Sequence, residues 1–333
     1  MKPYAVGIDI GGTNVRAAIV TQSGEIIART TAREHAEKHP EVVIETIIQA
    51  CTRVLADAAV DRREVEAVAL GFGGTVNGPE GVVLVSSNLP AWDHYPLRDH
   101  VAARLGIPTL LDNDTNLGAL GEHRFGAGRG VDDMAYVTIS TGLGLGIIIN
   151  GKLYVGRSGT AGEIGHAVID IDGPMCTCGK RGCLMAYASG IGLSRMAYAR
   201  IAAGEATLLR DAAPGDGSRI AGEAILAAAN QSDRVAQEVI HTFARHCGVA
   251  LAWINELLNP TLTVVGGGLT NMGDRLWQPM LASMYENTQP EIHEYIRVAP
   301  WQLGDDIGLL GAAAKVFVAA ERREARAAVQ AAN

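Results

Sequence analysis

The 333-residue sequence predicts an α/β fold built from two duplicated α/β domains facing each other across a cleft. The opening segment, 4–20 (YAVGIDIGGTNVRAAIV), reads as strand, glycine turn, strand. The same theme returns at 134–149 (MAYVTISTGLGLGIII), and a later short strand ends in Gly266-Gly267-Gly268. In open α/β sheets, ligands gather where such loops meet. The length is enough for roughly two domains with sizeable cores.

Residues 24–30 (GEIIART) add a third strand to the first two, giving a β-meander. Apolar spacing of helical period follows over 41–59, then a buried strand at 66–71 (EAVALG) and a glycine turn. A helix over about 96–105 leads to strand 108–112 (PTLLD), and another helix opens near Asn113. Past the second strand-turn-strand unit, Gly151-Lys152 supplies a turn. Helical sequence then dominates from about 190 to 258, broken by Gly215-Asp216-Gly217. The chain closes with a helix over about 308–328, whose last stretch (AAERREARAAVQAAN) reads as solvated and fraying into a tail.

At 48% hydrophobic and 19% charged, the composition is that of ordinary globular protein. The 40 glycines exceed the usual roughly 7% and sit mostly at the ends of apolar runs, as expected of loops that ligands approach closely. A net charge of −8 argues against nucleic-acid binding through a basic face. No helix-turn-helix precedes the first strand, no secretory signal is read at the N-terminus, and no apolar run is long enough to suggest a membrane span. Cys51 and Cys247 lie in helix-like segments and read as buried thiols, which fits a reducing cytoplasm.

Between Gly162 and Cys183 the chain reads GEIGHAVIDIDGPMCTCGKRGC. Cys176, Cys178 and Cys183 with His166 offer three thiolates and one imidazole, a complete tetrahedral set for Zn2+. A shell filled by protein leaves no position for water, so such a site braces a loop instead of acting as a Lewis acid. The alternative is a reduced cysteine cluster in a glycine-rich turn.

Three glycine loops suit phosphate. In Asp9-Ile10-Gly11-Gly12-Thr13-Asn14, backbone N–H groups and the Thr13 hydroxyl can donate, and Asp9 can hold Mg2+ through water. Ser140-Thr141-Gly142-Leu143-Gly144 has the same composition, and Gly266-Gly267-Gly268-Leu269 can pass beneath an adenosine. Any one alone is weak, because G-G-T also makes a plain hairpin. Three in this order, each after an apolar strand, form a much stronger signal.

DIGGTNVR (9–16), SSNLPAW (86–92), DNDTNLGALGEHRFGAG (112–128), STGLGLGI (140–147), AGEIGH (161–166), CTCGKRGC (176–183) and LNPTLTVVGGGL (258–269) together span nearly the whole chain. On these segments the sequence resembles the ROK family of sugar kinases and sugar-responsive repressors. The resemblance implies two actin-like ATPase (ribonuclease H-like) domains: a small one over 1–115 plus about 308–333, and a large one over 116–307. It also implies phosphorylation of a hexose or hexose analogue by ATP and Mg2+ at the primary 6-hydroxyl, and a homodimer or homotetramer.

By the same resemblance, Asp114 is the general base, and Gly74, Asn88, Asn113, Asp114, Glu163 and His166 line the sugar, with His166 also ligating zinc. Asp9, Gly11, Gly12, Thr13, Thr141, Gly142, Gly267 and Gly268 serve the nucleotide and its metal. A carboxylate at a strand-to-helix junction can accept the proton of an attacking hydroxyl. Read locally, Asp114 is equally a helix N-cap, Asn88 a turn residue and Glu163 a solvated turn carboxylate.

Two departures from the family pattern stand out. Relatives usually carry a sugar-binding glutamate two residues after the last zinc cysteine, where this chain has Met185. A hydroxyl facing methionine loses its acceptor. This leaves open a less polar substrate such as a modified sugar or cyclitol, a replacement by another residue or water, or a protein that binds sugar without catalysis. The second departure, Gly71-Phe72-Gly73-Gly74-Thr75 in place of G-x-P-G, adds backbone freedom. The repressor reading lacks a DNA-binding segment, and a generic actin-like ATPase does not account for GEIGH and the cysteines.

Overall fold

The computed structural model describes residues 1–11, 14–33, 39–85 and 90–331, in two compact units. Unit 1 comprises Met1–Met134, Gly146–Ala161 and Trp301–Asn333; unit 2 comprises Ala135–Leu145 and Gly162–Pro300. In chain order the strands and helices begin with β1 (Tyr4–Ile10), β2 (Asn14–Thr21), β3 (Ile26–Arg33), α1 (Pro40–Asp57), β4 (Val65–Phe72) and the hairpin β5 (Thr75–Asn77) and β6 (Val82–Val85). Then come α2 (Leu97–Leu105), β7 (Thr109–Asn113), α3 (Asp114–Phe125), β8 (Met134–Ile139), β9 (Leu143–Ile149) and β10 (Lys152–Leu153). The helical stretch holds α4 (Gly190–Ala202), α5 (Leu209–Ala212), α6 (Gly222–Asn230) and α7 (Arg234–Leu258). β11 (Leu262–Gly266), α8 (Asp274–Glu286), β12 (Val298–Pro300) and α9 (Ile307–Ala331) complete the chain.

The sheet of unit 1 has the order β3-β2-β1-β4-β7. The meander predicted from the N-terminal sequence is antiparallel, while β1, β4 and β7 run parallel. β4 is buried along its whole length, which is why it reads as a continuous apolar run without alternation. Val43, Ile44, Ile47, Cys51 and Val54 of α1 recur at helical spacing and join the core beneath this sheet.

The C-terminal helix makes the closest backbone approaches in unit 1. A Cβ on Gly311 would sit 2.1 Å from the carbonyl oxygen of Leu117, and one on Gly121 would sit 3.1 Å from the Gly311 Cα. Glycines on both helices therefore let α9 lie on α3 at backbone contact. The buried Glu122 fastens the far end of α3, accepting hydrogen bonds from the backbone N–H groups of Ala127, Gln302 and Leu303 at 2.8–3.0 Å.

A second five-stranded sheet has the order β10-β9-β8-β11-β12. In unit 2, α7 packs against α8, α6 and α4. The polar break at 215–217 falls between α5 and α6. Three features depart from the sequence expectations. The hairpin β5–β6 and helix α8 were not anticipated; α8 contains Pro279, which normally argues against a helix interior, yet Leu276, Met280 and Met284 form its buried stripe. The final helix continues to Ala331 instead of fraying near 328. Its last turns are fully exposed, and their Ala, Glu and Arg residues have high intrinsic helix propensity.

Substituting Gly311→Ala should force α9 away from α3, with a loss of about 2–3 kcal/mol, typical of overpacking at a site that cannot relax. In thermal unfolding, the expected reading is a fall in midpoint of roughly 5–10 °C for a unit of this size. An unchanged midpoint would refute the close-contact account.

Candidate functional site

Strand register assembles an acidic corner in unit 1. Asp9 pairs with Gly71 across β1–β4, and Gly71 and Phe72 pair with Asp112 and Asn113 across β4–β7. The C-terminal ends of three parallel strands thus carry Asp9, the Gly71–Gly74 turn and the Asn113-Asp114 pair to one edge of the sheet. Asp9 is ion-paired with Arg16 at 2.5 Å, and the backbone of Gly308, in the first turn of α9, lies close against it. Gly11 donates its N–H to the carbonyl of Asn14, closing the turn between β1 and β2. Gly12, Thr13 and Asn88 lie outside the described residues.

The two local readings of the Asn-Asp pair divide between its members. Asn113 is the N-cap of α3, its Oδ1 accepting from the N–H groups of Thr115 (2.8 Å) and Asn116 (3.3 Å). Its amide donates to the Gly74 carbonyl at 2.9 Å, so Gly74 is tied to the helix start. Asp114 is the first residue of the helix and is not its cap. One of its oxygens accepts from the Thr115 N–H at 2.7 Å and the Thr115 hydroxyl at 3.3 Å.

The Asp114 side chain is exposed to water, while the protein atoms around it desolvate the carboxylate in part. That desolvation raises its pKa to about 6, with the charge of Asp9 a second cause and the Thr115 hydrogen bonds opposing. A carboxylate with a pKa near 6 is ionised at neutral pH and is a better proton acceptor than an ordinary aspartate.

In unit 2, two glycine loops meet beside β8 and β11. The Ser140 N–H donates to the Gly142 carbonyl, folding the 140–142 turn tightly. The N–H groups of Gly190 and Ile191 donate to the carbonyls of Ser140 and Thr141, docking the turn on the start of α4. Gly267 has φ +97°, and a Cβ there would lie 2.4 Å from the Ile139 carbonyl oxygen. Only glycine permits this conformation and contact, and together they bring the Gly267-Gly268 loop beside the end of β8. Gly190 was not among the sequence candidates. The signal available for it was Ser189-Gly190-Ile191-Gly192, an N-cap serine followed by two glycines.

The metal-ligand set is preassembled. One donor atom each from His166, Cys176, Cys178 and Cys183 lie within 4.8 Å of one another. The Cys178 and Cys183 sulfurs are 3.6 Å apart, as are the Cys176 sulfur and His166 Nδ1. With Zn–S near 2.3 Å and Zn–N near 2.0–2.1 Å, the edges of a tetrahedral site measure about 3.5–3.8 Å, so the spacing fits zinc. Burial and the neighbouring thiols push Cys183 up to about 12, and a bound cation would be needed to hold this sulfur as the thiolate that ligates metal. Burial, with Lys180, lowers the pKa of His166 and favours the neutral imidazole that binds metal.

With Nδ1 turned to the cysteines, His166 Nε2 lies 4.0 Å from Glu163 Oε2. The contact between Nδ1 and the Cys176 sulfur thereby goes with an imidazole whose other nitrogen is turned toward Glu163. Met185 belongs to the same neighbourhood. Its methyl group lies 3.6 Å from where a Cβ of Gly142 would stand and 3.1 Å from that of Gly165, while the buried Ser189 hydroxyl donates to its carbonyl at 2.6 Å. Methionine therefore lies against both Gly142 and Gly165, whose backbone itself approaches the Leu143 carbonyl.

Comparison with known proteins identifies this arrangement. The sequence profile described as "ROK family" matches residues 5–317. The glucokinase of Thermotoga maritima is 34% identical over 316 residues, covering 94% of this chain and 96% of that protein. The xylose repressor of Caldicellulosiruptor bescii is 29% identical over 269 residues, covering 81% of this chain and 67% of that protein. Among solved structures, a ROK family glucokinase from Streptomyces griseus in complex with glucose and AMPPNP superposes with a TM-score of 0.79 at 38% identity, covering 93% of this chain and 98% of that one. The two mixed five-stranded sheets are those of the actin-like fold, and the chain belongs to the ROK family.

Proposed function

We propose that the protein is a sugar kinase that transfers the γ-phosphoryl group of ATP, with Mg2+, to the primary 6-hydroxyl of a hexose or close analogue. The observation that carries this reading is Asp114: the first residue of α3, beside the capping Asn113 and with its pKa raised to about 6, in a chain whose relatives include glucokinases. Asp114 accepts the proton of the hydroxyl as it attacks phosphorus. Little else is asked of the protein but positioning and charge neutralisation, because the transition state is loose and in line.

Asn113, Gly74, Asn88, Glu163 and His166 hold the sugar in this reading. Thr141, Gly142, Gly267 and Gly268 hold the nucleotide with Gly11, Gly12 and Thr13. Asp9 is the carboxylate to which hydrated Mg2+ is assigned; it supplies charge neutralisation at the phosphates. His166 and the three cysteines would hold Zn2+, and an imidazole so bound would present its other nitrogen to a sugar hydroxyl.

A second reading concerns the acceptor alone. Met185 places a thioether methyl beside the Gly165 turn, where it offers no strong hydrogen-bond acceptor. This favours an acceptor that is deoxy, substituted or glycosidic on that side, or a cyclitol, over plain glucose. A coupled ADP-release assay over a panel of sugars and cyclitols decides between them. Sugar binding with no ADP release by any member would instead support a non-catalytic sensor.

Asp114→Asn should lower kcat by roughly 10²–10⁴-fold while leaving the sugar KM nearly unchanged; near-normal turnover removes Asp114 from the base role. Because the base must be ionised, kcat/KM of the wild type should be flat above pH 7 and fall about tenfold per unit below a midpoint near 6. A midpoint near 4 would contradict the desolvated environment. Metal analysis should find about one zinc per chain, lost in Cys178→Ser or on chelation. The expected accompaniment is weaker sugar binding with retained nucleotide binding, restored by zinc after chelation.

A further inference from the structure

We infer that Lys315 is a positioning residue for the proposed base: through the buried carboxylate of Asp112 it holds the strand-to-helix turn from which Asn113 and Asp114 project. This rests on the reading of Asp114 as base, but the contacts are independent of it.

Asp112 is the penultimate residue of β7, its side chain 1% exposed, and the backbone of Gly78 closes over it. One carboxylate oxygen accepts the Lys315 ammonium at 2.5 Å. The other accepts the backbone N–H of Asn113 at 2.9 Å and the side-chain amide of Asn116 at 2.8 Å. Asp112 thus grips the turn on both sides of Asp114, once at the preceding residue and once in the first helical turn.

Besides these two neutral donors a cation faces the buried carboxylate and helps offset its dehydration. Lys315 supplies that cation from the middle of α9, reaching the turn from an element 203 residues further along the chain. The pair is asymmetric. Lys315 keeps 23% of its side-chain exposure and opens onto a groove of about 550 Å³ beside Arg322 and Arg326, so its ammonium retains water while Asp112 does not. Removing lysine therefore leaves the costlier half behind, a buried charge that must protonate or move.

The corner holds three carboxylates and two cations. Arg16 pairs with Asp9 and Lys315 with Asp112, and among the described residues no ion pair involves Asp114. Lys315 thereby anchors the scaffold without neutralising the base itself. Since a misplacement of about 1 Å at a reacting group can cost on the order of 10² in rate, a loosened turn should be read in turnover more than in substrate affinity.

The test compares full-length wild type, Lys315→Met and the charge-balanced double variant Asp112→Asn/Lys315→Met, in which Asn at 112 can still accept from Asn113 and Asn116. Amide hydrogen exchange over 113–116, with no ligand present, reads the positioning directly. Lys315→Met should raise exchange there at least about tenfold and lower kcat by a similar factor, with KM within about twofold, while the double variant recovers most of both. Unchanged exchange in Lys315→Met overturns the inference whatever the turnover. A double variant as impaired as the single one also overturns it, since the uncompensated charge would not be the cause. An active Asp114→Asn variant refutes the base reading alone and leaves the exchange comparison to be judged by itself.

Discussion

The backbone contact between α9 and the body of unit 1 is the constraint on which the acidic corner depends. A Cβ on Gly7 of β1 would lie 2.2 Å from the Leu309 carbonyl oxygen, Gly308 lies against Asp9, and Gly311 lies against Leu117. Gly7 and Gly311 bring the helix to backbone contact with β1 and α3, and Gly308 seats it on the Asp9 side chain. Such packing is rigid because there is nothing flexible to yield, and dense interiors transmit small volume changes as strain. From this position α9 delivers Lys315 to Asp112 and sets the surroundings of Asp9.

Charge in this corner is managed by pairing two carboxylates and desolvating the third. Asp9 and Asp112 each have a cation, while the pKa of the exposed Asp114 rises through partial desolvation and the charge of Asp9, against its Thr115 hydrogen bonds. Sequence proximity says little about this outcome. Asp112 and Asp114 are two residues apart, yet one is a structural anchor and the other sits at the surface of the site, because β7 ends between them and the side chains diverge as the helix begins.

Unit 2 uses a different device. Its apolar core supports loops whose shape is held by backbone hydrogen bonds and by a Cys3His cluster in place of packing. The Gly179 turn, the bridge between Val168 and Cys183 and the Lys180 contact to the His166 carbonyl gather ligands spread over eighteen positions, 166 to 183. A metal is well suited to this task, because Val168, Ile171 and Met175 of this loop stay exposed and bury little apolar surface to organise it.

Much was legible in the sequence. Apolar runs ending in glycine located β1, β2, β8, β9 and β11, and the Cys and His spacing named a metal-ligand set that the structure gathers within 4.8 Å. These are local signals: period, turn chemistry and ligand type act over a few residues. What the sequence left undecided was which of two local meanings applied to a residue. Asn113 rather than Asp114 became the cap, Pro279 was tolerated inside a helix, and Asp112 and Glu122 proved to be buried anchors. Only tertiary structure decides such matters, because burial and charge pairing depend on segments hundreds of residues apart, and nothing near Asp112 in the chain announces that its counter-ion will be Lys315.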